Sequence, residues 1–320
     1  MFVTMINDRQ NESYTIGRMS TIEFQDLTKK DKPLLDKYFQ GRYYENSHFN
    51  FTNLYMWREP YHIKWCEDAG VLYMICEYAG ELMALQPFGP AEKLDMAVTK
   101  LLAYFSSQER KLVITGMEKS FAEVLSNYQA ANFAIESDRD NFDYVYSAEK
   151  LITLSGRKLH SKKNHLNAFR KAYPQAEYLP ITQEILPACL EELQRWYNLR
   201  IQDEPDDPFI GWESKAIKEV FADYDYFNLK GGAIRLDGRI IAFTFGEQLN
   251  EDTVVVHVEK ADPAIRGAFP AINQGYIANS WQGMTYINRE EDMGHAGLRK
   301  AKESYKPVKM IEKFNAKLIG

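Results

Sequence analysis

The sequence predicts the same order of helices and strands in both halves of the chain. In the first half, apolar residues at helical spacing predict helices over 31–44 and 47–59. Three β-rich runs follow over 61–68, 70–78 and 80–89, then a helix over 90–108, a strand over 111–117, a helix over 118–130 and a strand beginning at 140. This order restricts the architectures open to the chain far more than its composition does.

The second half begins with predicted helices over 182–202 and 211–224. Two strands within 232–249 are joined by Asp237-Gly238, which is typical of a two-residue hairpin turn. A strand over 252–261, a helix over 268–282, a strand over 284–288, a helix over 296–306 and a closing strand over 307–318 complete the half. The halves share little residue identity, so only the order of elements repeats.

The order α-α-β-β-β-α-β-α-β is that of the GNAT acyltransferase fold. We therefore predict an α/β (α+β) protein of two tandem GNAT-like domains, each with a mixed central sheet flanked by helices; the other possibility is an α/β protein of different connectivity. The predicted parts are a disordered leader over 1–20, a mainly structural first domain over 21–150, a basic connector helix over 151–177 and a second domain over 178–320 that carries the site.

Composition excludes several classes of protein. The chain has 320 residues, 45% hydrophobic and 26% charged, as expected for a globular protein. No apolar run approaches the roughly 18 residues of a membrane-spanning helix, and the N-terminal residues do not have the pattern of a signal peptide. Cys66, Cys76 and Cys189 are odd in number and far apart, which favours reduced cytoplasmic thiols over a disulfide framework or a zinc site.

Basic residues are concentrated in two segments, although the net charge is −6. Residues 155–176 contain six Lys or Arg, two His and no acid, and residues 299–317 contain seven Lys or Arg and two Glu. Two such segments in an acidic protein favour a local anion-binding surface, with solvated helix faces as the alternative.

Several stretches resemble one bacterial family. They are residues 47–58, 140–174, 256–281 and 286–310, and the last contains Asn-Arg-Glu-x-Asp-x-Gly followed by Gly-Leu-Arg-Lys-x-Lys and Pro307. Over about residues 20–318, the chain resembles a domain of unknown function that is similar to the C-terminal domain of phosphatidylglycerol lysyltransferases. That family is a tandem-GNAT relative of the Fem-type transferases.

The resemblance implies transfer of an aminoacyl group from aminoacyl-tRNA to an amine or hydroxyl acceptor. The lysyltransferases also carry a multi-span membrane half, and this sequence has no such part. Two other functions stay open: an acyl-CoA-dependent N-acyltransferase, and a non-catalytic protein that binds RNA or an anionic metabolite. We predict no cofactor, a cytoplasmic location and aminoacyl-tRNA as the partner.

The predicted helix after Gly297 carries the first candidate catalytic residue. Leu298, Ala301 and Tyr305 share one face, which we expect to be buried. Arg299 can pair with Glu303 four residues on, and Lys306 competes for the same acid. Lys302 has no acid at either spacing, so we expect it to be free to meet an outside anion. The resemblance implies that Lys302 neutralises the tRNA 3′ end or the oxyanion of the tetrahedral intermediate.

Acids follow the strand that ends near residue 288. Glu290 and Asp292 are candidates for a general base that deprotonates an ammonium acceptor, or for its binding site. The alternative is that they only orient Arg289 and Arg299. Asn288 and Arg289 begin the same motif, and with Arg299 and Lys306 they are candidate substrate-binding residues.

The loop before the helix at 268 resembles the pyrophosphate cradle of GNAT enzymes incompletely. Arg266, Gly267 and Ala268 are present, but a further glycine is missing, which favours aminoacyl-tRNA over acyl-CoA as donor. Arg266, Gly267 and Glu259 are candidate substrate-binding residues, whereas we expect His257 to pack within its strand. Four basic residues of the connector are candidate contacts to RNA phosphates: Lys158, Lys162, Lys163 and Arg170. We predict no metal site.

Overall fold

The structure, a computed structural model, describes residues 22–40 and 42–319. The predicted leader over 1–20 lies outside the described residues. In the first half the elements are β1 (Gln25–Asp26), α1 (Lys32–Phe39), α2 (Phe51–Trp57), β2 (Lys64–Asp68), β3 (Val71–Tyr78), β4 (Glu81–Leu85), α3 (Leu94–Ser107), β5 (Val113–Met117), α4 (Lys119–Ser126) and β6 (Asn132–Ser137).

The later elements begin with those that bridge the halves. They are β7 (Asp143–Ser147), α5 (Ala148–Thr153), α6 (His160–Ala172), β8 (Glu177–Pro180), α7 (Leu186–Asp203), α8 (Pro208–Ala222), β9 (Lys230–Leu236), β10 (Arg239–Gln248), β11 (Thr253–Ala261), α9 (Ala268–Ser280), β12 (Tyr286–Asn288), α10 (Ala296–Glu303), β13 (Lys309–Ile311) and β14 (Phe314–Ile319). From α1 to β6 and from α7 to β13 the order is α-α-β-β-β-α-β-α-β, so the predicted repeat is confirmed.

The strands form two seven-stranded mixed sheets that exchange a strand. The orders are β1-β2-β3-β4-β5-β14-β6 and β13-β7-β12-β11-β10-β9-β8. The C-terminal strand β14 thus lies antiparallel between β5 and β6 of the first sheet. Strand β7 likewise lies antiparallel between β12 and β13 of the second sheet. Each sheet is completed by a strand from the other part of the chain.

Two of the strand predictions are corrected by this exchange. The single closing strand over 307–318 is wrong, because β13 and β14 are separate and lie in different sheets. The strand beginning at 140 does not close the first half, because it is β7 of the second sheet, and β6 takes its place. Sheet membership therefore crosses the predicted boundaries of the domains over 21–150 and 178–320, which stay a prediction about folding units.

One hydrophobic core joins the two halves. Phe51 and Tyr55 of α2 pack against Phe227 at ring-centroid distances of 6.1 Å and 5.1 Å. The same buried cluster includes side chains of α1, α7 and α8 and the inner faces of β9 and β10. Within the described residues, no helix is both long and apolar enough to cross a membrane.

The second sheet opens between β11 and β12. These strands are parallel and pair only from Thr253 with Tyr286 to Val255 with Asn288. Beyond that point β12 ends, while β11 continues to Ala261 beside β10 alone. This place beside β11, where β12 ends, is called the gap below, and ligands of open α/β sheets bind at such strand ends.

A β-bulge places one residue of β11 out of the regular pairing. Phe245 pairs with Val258 and Gly246 with Val256, so His257 is the extra residue. A Cβ atom at Gly246 would collide with the backbone oxygen of Val255, which explains the glycine. Bulges re-aim side chains, and here the bulge lies at the level where β11 leaves β12.

Candidate functional site

The gap between β11 and β12 collects charged side chains from distant parts of the chain. Strand β11 contributes His257 and Glu259, and the loop after β12 contributes residues 289–292. Helix α10 packs against that loop, because Lys302 donates to its carbonyls. Helix α6 approaches as well, because Lys162 lies against Tyr305, just beyond α10. These elements bring together the segments in which the sequence analysis placed its candidates.

Arg289 is the central cation of the gap. Its Nη2 donates to Glu259 Oε1 at 3.0 Å, and both side chains are close to nine-tenths buried. The guanidinium carbon lies 4.9 Å from the ring centroid of Tyr305 and 5.6 Å from that of Tyr146. The ammonium of Lys162 lies 4.1 Å from the same Tyr305 ring. Burial lowers the pKa of Lys162, and the charge of Arg289 adds to the effect.

Two polar atoms beside Glu259 are left unsatisfied. Asn273 of α9 donates through Nδ2 to Glu259 Oε2 at 2.8 Å. Its Oδ1 is buried, as is Nη1 of Arg289, and neither has a hydrogen-bond partner in the part of the chain that the structure describes. An unsatisfied buried donor or acceptor costs about 1–3 kcal/mol. The site therefore holds one unpaired donor and one unpaired acceptor, each on a residue bound to the same carboxylate.

Lys302 is not free, so that expectation is wrong. The side chain is buried, and its ammonium donates to the backbone oxygens of Arg289 and Glu291, each at 2.5 Å. Burial lowers the pKa of this ammonium to about 8. Helical spacing identified the absence of an acid on α10 but could not show that backbone carbonyls of another segment take its place. Lys302 holds the loop that carries Arg289.

The orientation of α10 also differs from the prediction. Leu298 is 40% exposed and Ala301 is exposed, whereas Lys302 and Tyr305 are buried. Only Tyr305 of the predicted apolar face is buried. The helix turns its lysine inward because the 289–291 loop offers acceptors and the aliphatic stem of a lysine packs as well as a leucine does.

Asp292 is a fully buried acceptor that fixes Arg299. It accepts from Nε and Nη2 of Arg299 at 2.9 and 2.7 Å and from the hydroxyl of Tyr144 at 2.5 Å. Burial opposes its charge, but these hydrogen bonds hold the pKa of its carboxyl well below the ordinary value. The predicted pair of Arg299 with Glu303 is wrong, because Arg299 also binds Asp140, and Glu303 lies 3.7 Å from Arg139 instead. These contacts match the scaffold role left open for Asp292.

Glu290 belongs to a chain of carboxylates around His257. The two imidazole nitrogens lie 3.0 Å from Glu290 Oε1 and 3.0 Å from Glu247 Oε1. Burial opposes a charged imidazole, but the two carboxylates outweigh it and raise the pKa of His257 to about 9. Asn53 of α2 also donates to Glu290, at 3.2 Å. His257 is indeed packed within the sheet, as expected, and it bridges β10 to the loop after β12.

A buried charged network lies next to the carboxylates around His257, and it was not predicted from the sequence. Lys313, between β13 and β14, is fully buried and lies 2.7 Å from Asp143 of β7 and 3.2 Å from Glu291. Asn288 donates to Asp143 at 3.0 Å, and Ser47 donates to it through both backbone and side chain. Burial opposes the charge of Lys313, but Asp143 and Glu291 outweigh it and raise the pKa of the ammonium. Asn288 thus fixes the start of the loop after β12.

Asp143 and Lys313 each lie in a stretch rich in apolar residues. Asp143 stands between Phe142 and Tyr144, and Lys313 stands in a segment of alternating apolar residues. Charged residues are almost never fully buried unless they are paired. The rule indicates that each residue, if buried, has a partner, but it does not identify that partner. Because 170 positions separate Asp143 and Lys313 in the chain, local patterns could not predict that they pair.

The remaining substrate-binding candidates are Arg266, Gly267 and Lys306. Arg266 is exposed in the loop before α9. A Cβ atom at Gly267 would lie 2.8 Å from the backbone oxygen of His165, so α6 occupies the space next to this glycine. Lys306 is exposed and follows Tyr305 in the left-handed region, with φ of 60°.

The four RNA-phosphate candidates divide between two environments. Lys158, Lys163 and Arg170 are exposed, and Arg170 donates to Gln274 at 3.0 Å. Lys162 points inward to Tyr305. Helix α6 and the turn before it therefore direct Lys162 inward and leave the other three cations in solvent.

The fold is of the predicted class: two tandem GNAT-like halves with mixed seven-stranded sheets flanked by helices. The family model described as phosphatidylglycerol lysyltransferase, C-terminal, matches residues 42–317, and the chain belongs to this family.

Similar proteins agree with this membership. A conserved protein of unknown function from Bacteroides thetaiotaomicron has 33% identity and a TM-score of 0.87, over 93% of this chain and 100% of that one. L-PGS from Bacillus licheniformis shares the fold at 14% identity and a TM-score of 0.63, over 90% and 91% of the two chains. An uncharacterised protein of Mycoplasmoides gallisepticum is 30% identical over 209 residues, and the match spans 64% of this chain and 64% of that relative's length.

Proposed function

We propose that this protein transfers an aminoacyl group from aminoacyl-tRNA to an amine or hydroxyl acceptor in the gap between β11 and β12. The observation that carries the proposal is the convergence of Arg289 and Lys162 on the Tyr305 ring in that gap. Membership of the phosphatidylglycerol lysyltransferase C-terminal family supports an aminoacyl group as the transferred unit. Because charged tRNA is cytoplasmic, the proposal includes a cytoplasmic location.

The reaction needs a cation where charge develops. The acceptor nitrogen or oxygen attacks the ester carbonyl carbon, a new amide or ester bond forms, and the bond to the ribose oxygen of the tRNA breaks. The proton lost by the acceptor ends on that ribose oxygen. Negative charge builds up on the carbonyl oxygen during the attack. Arg289 is suited to stabilise it, and Lys302 contributes by fixing the 289–291 loop.

The acceptor side of the gap is assigned to Glu290. It lies on the same loop as Arg289, one residue further on, and retains a partly exposed carboxylate. His257, bound between Glu290 and Glu247, fixes the position of that carboxylate. Glu290 is therefore better suited than the enclosed Asp292 to receive an ammonium acceptor or its proton.

The packing at Gly267 supports a tRNA donor over acyl-CoA. In the alternative function, the start of α9 would cradle a pyrophosphate, which needs open space beside the backbone. Helix α6 fills the space next to Gly267. Lys163 and Arg170 of the same helix and Lys158 just before it are exposed, and there they would follow the phosphates of an acceptor stem.

A donor panel followed by a transfer assay tests the proposal. Thermal shift is measured with CoA, acyl-CoA, uncharged tRNA and aminoacyl-tRNA, and radiolabelled aminoacyl-tRNA is then incubated with fractionated lysate amines and lipids. We expect stabilisation by aminoacyl-tRNA and label in one acceptor fraction. Stabilisation by acyl-CoA alone contradicts the tRNA donor, and binding without transfer in every fraction favours the non-catalytic function.

One pair of variants locates the reaction. Arg289→Met removes the central cation, and we expect transfer to fall by about a hundredfold or more, the effect of losing one oxyanion donor. Arg235→Met is the matched control, since Arg235 lies in the same sheet and pairs with Glu177 at 2.7 Å far from the loop. Equal activity of the two variants would contradict the site.

A further inference from the structure

We propose that Glu259, Asn273 and Arg289 form a pocket that recognises the free α-ammonium group of the aminoacyl unit. This inference rests on the proposed function and specifies the chemistry of the donor. Glu259 and Oδ1 of Asn273 take the ammonium group, and Nη1 of Arg289 donates to the ester carbonyl oxygen. The pocket thus selects α-amino acyl esters with an unblocked amine.

The two unsatisfied atoms define the complementary ligand. Oδ1 of Asn273 needs a donor, and Nη1 of Arg289 needs an acceptor. An α-amino ester supplies an ammonium donor and a carbonyl acceptor separated by one carbon atom. A carboxylate-bearing or purely anionic ligand would satisfy Arg289 alone and would meet repulsion from Glu259.

The orientation of the Asn273 amide is fixed by the carboxylate. Its Nδ2 donates to Glu259 Oε2, and an ionised carboxylate can only accept. The amide oxygen must therefore be the unpaired atom. Arg289 holds the other oxygen of Glu259, so the carboxylate is clamped from both sides while each oxygen retains a free lone pair.

Charge also favours an ammonium group at this position. Arg289 and Lys162 both lie against Tyr305, whereas Glu259 is the carboxylate to which both Arg289 and Asn273 are bound. A ligand ammonium group beside Glu259 and a carbonyl oxygen beside Arg289 place each partial charge next to its opposite.

Access to the pocket requires a movable cover. The unpaired atoms of Asn273 and Arg289 are enclosed by protein. Lys162 lies across the Tyr305 ring on a flexible side chain, and its exposed neighbours on α6 are the proposed phosphate contacts. An arriving terminal phosphate of the tRNA attracts Lys162 away from the ring and leaves Arg289 accessible.

The first test uses small probes and needs no transfer reaction. L-amino acid amides mimic the aminoacyl ester and resist hydrolysis, and in their N-acetylated forms the amine is uncharged and carries an acetyl group. Binding is measured by ligand-observed NMR and thermal shift on the full chain. We expect at least one amide to bind and its N-acetyl form to bind about tenfold or more weakly, because a charge-assisted hydrogen bond is absent. Equal binding of the two forms, or no binding by any amide, overturns the inference.

A matched pair of variants then locates the selectivity. In Glu259→Gln, the new Nε2 can donate to the Asn273 oxygen and so satisfy the acceptor that the ligand would use. We expect the preference for the free amine to disappear. Glu213→Gln is the control, because Glu213 binds Lys260 on the same sheet at 2.7 Å and lies outside the pocket. If Glu259→Gln keeps the full preference, Glu259 is not the ammonium acceptor and the inference is wrong.

Transfer assays separate this inference from the proposed function. Aminoacyl-tRNA and N-acetylaminoacyl-tRNA are compared as donors. If aminoacyl-tRNA reacts and N-acetylaminoacyl-tRNA does not, the result supports both the proposed function and the pocket. Equal transfer from the two donors keeps the proposed function and overturns the pocket. If neither donor reacts, the proposed function fails, and the amide comparison still decides whether the pocket binds an α-ammonium group.

Discussion

His257 carries a charge that the fold stabilises at an unusual depth. Its ring is enclosed, and both of its nitrogens face carboxylates at 3.0 Å. The imidazole is therefore held from two sides, by a strand β10 residue and by the loop after β12. The β-bulge is what directs this side chain between Glu247 and Glu290, because a regular strand would have paired it with β10.

The charge of His257 predicts a pH-dependent stability. Its folded pKa of about 9 lies above the unfolded value of about 6.5, so its contribution is fully present below pH 6.5 and disappears as the pH rises through 9. We expect the free energy of unfolding of the wild type to exceed that of His257→Gln by up to about 3 kcal/mol near pH 6, with a smaller excess above pH 9. Chemical denaturation across this range measures the difference.

His160→Gln is the control for this profile, since His160 is exposed at the start of α6. Taking the difference between wild type and variant removes the opposite trend of Lys302. The lowered pKa of Lys302 makes the free energy of unfolding rise with pH between about 8 and 10.5. A pH-independent difference for His257→Gln would show that folding does not shift the pKa of the imidazole, and a difference that grows with pH would show that the imidazole is neutral in the folded protein.

Lys302 gives a second prediction at this scale. Replacing it by Met keeps the length of the side chain but leaves the carbonyls of Arg289 and Glu291 without their donor. We expect a loss of about 2–4 kcal/mol in the free energy of unfolding. Lys300→Met, on the exposed face of the same helix, should change it by less than about 0.5 kcal/mol. Equal stabilities of the two variants, measured by urea denaturation, would contradict the buried role.

At the scale of elements, α6 connects two parts of the proposed function. Its inward residue Lys162 meets the Tyr305 ring, and its outward basic residues have no acid within 155–176 to neutralise them. In the proposed function, RNA that binds the exposed basic residues of α6 also draws Lys162 away from Tyr305 and so opens the site.

Charge reversal on α6 tests that role. We expect the triple variant Lys158→Glu, Lys163→Glu, Arg170→Glu to bind tRNA more weakly. We also expect its slope of log Kd against log salt to be reduced by about 0.7–0.9 for each phosphate that the variant no longer neutralises. Filter binding across a salt series measures both. The control reverses three exposed lysines of the first half, Lys37, Lys111 and Lys119, and should leave the slope unchanged. Similar effects of both triples would indicate that only net charge matters.

The elements differed in how well the sequence could predict them. The turn Asp237-Gly238 is confirmed, with φ of 49° and 81° and with Leu236 paired to Arg239. Strand β6 was missed because its side chains are half-buried or exposed and give no apolar run. The break between β13 and β14 was missed because Lys313 looks like a surface residue within an alternating pattern. Local periodicity does not reveal a lysine buried by partners from another segment.

At the scale of the whole molecule, the exchanged strands make the halves interdependent. Lys313 and Asp143 meet where the chain passes from one sheet to the other, and both are fully buried. Asn288, the last residue of β12, donates a hydrogen bond to the same Asp143. The geometry of the site is therefore tied to the crossing point between the sheets. Patterns read along the chain could place the site in the second half, but they could not show that the first half helps to build it.

This interdependence predicts that neither half folds alone. A fragment over 22–150 lacks β14, so β6 would lose the strand it pairs with and β5 would keep β4 on one side alone. A fragment over 151–319 lacks β7, so β12 and β13 would be separated in the second sheet. Unpaired edges of this kind promote aggregation. We expect each fragment to be insoluble or to unfold without cooperativity, as followed by circular dichroism.

Co-expression of the two fragments should restore a folded complex, because each supplies the strand that the other lacks. Size-exclusion chromatography would show the pair eluting together near the volume of the intact chain. The decisive control is a second pair divided at the exposed turn of Ala79-Gly80 between β3 and β4, which keeps β14 with β5 and β6 and keeps β7 with β12 and β13 in one fragment. If the fragment over 22–150 or the fragment over 151–319 gives a soluble monomer with a cooperative thermal transition, the predicted domains are independent folding units and the exchanged strands are dispensable for folding.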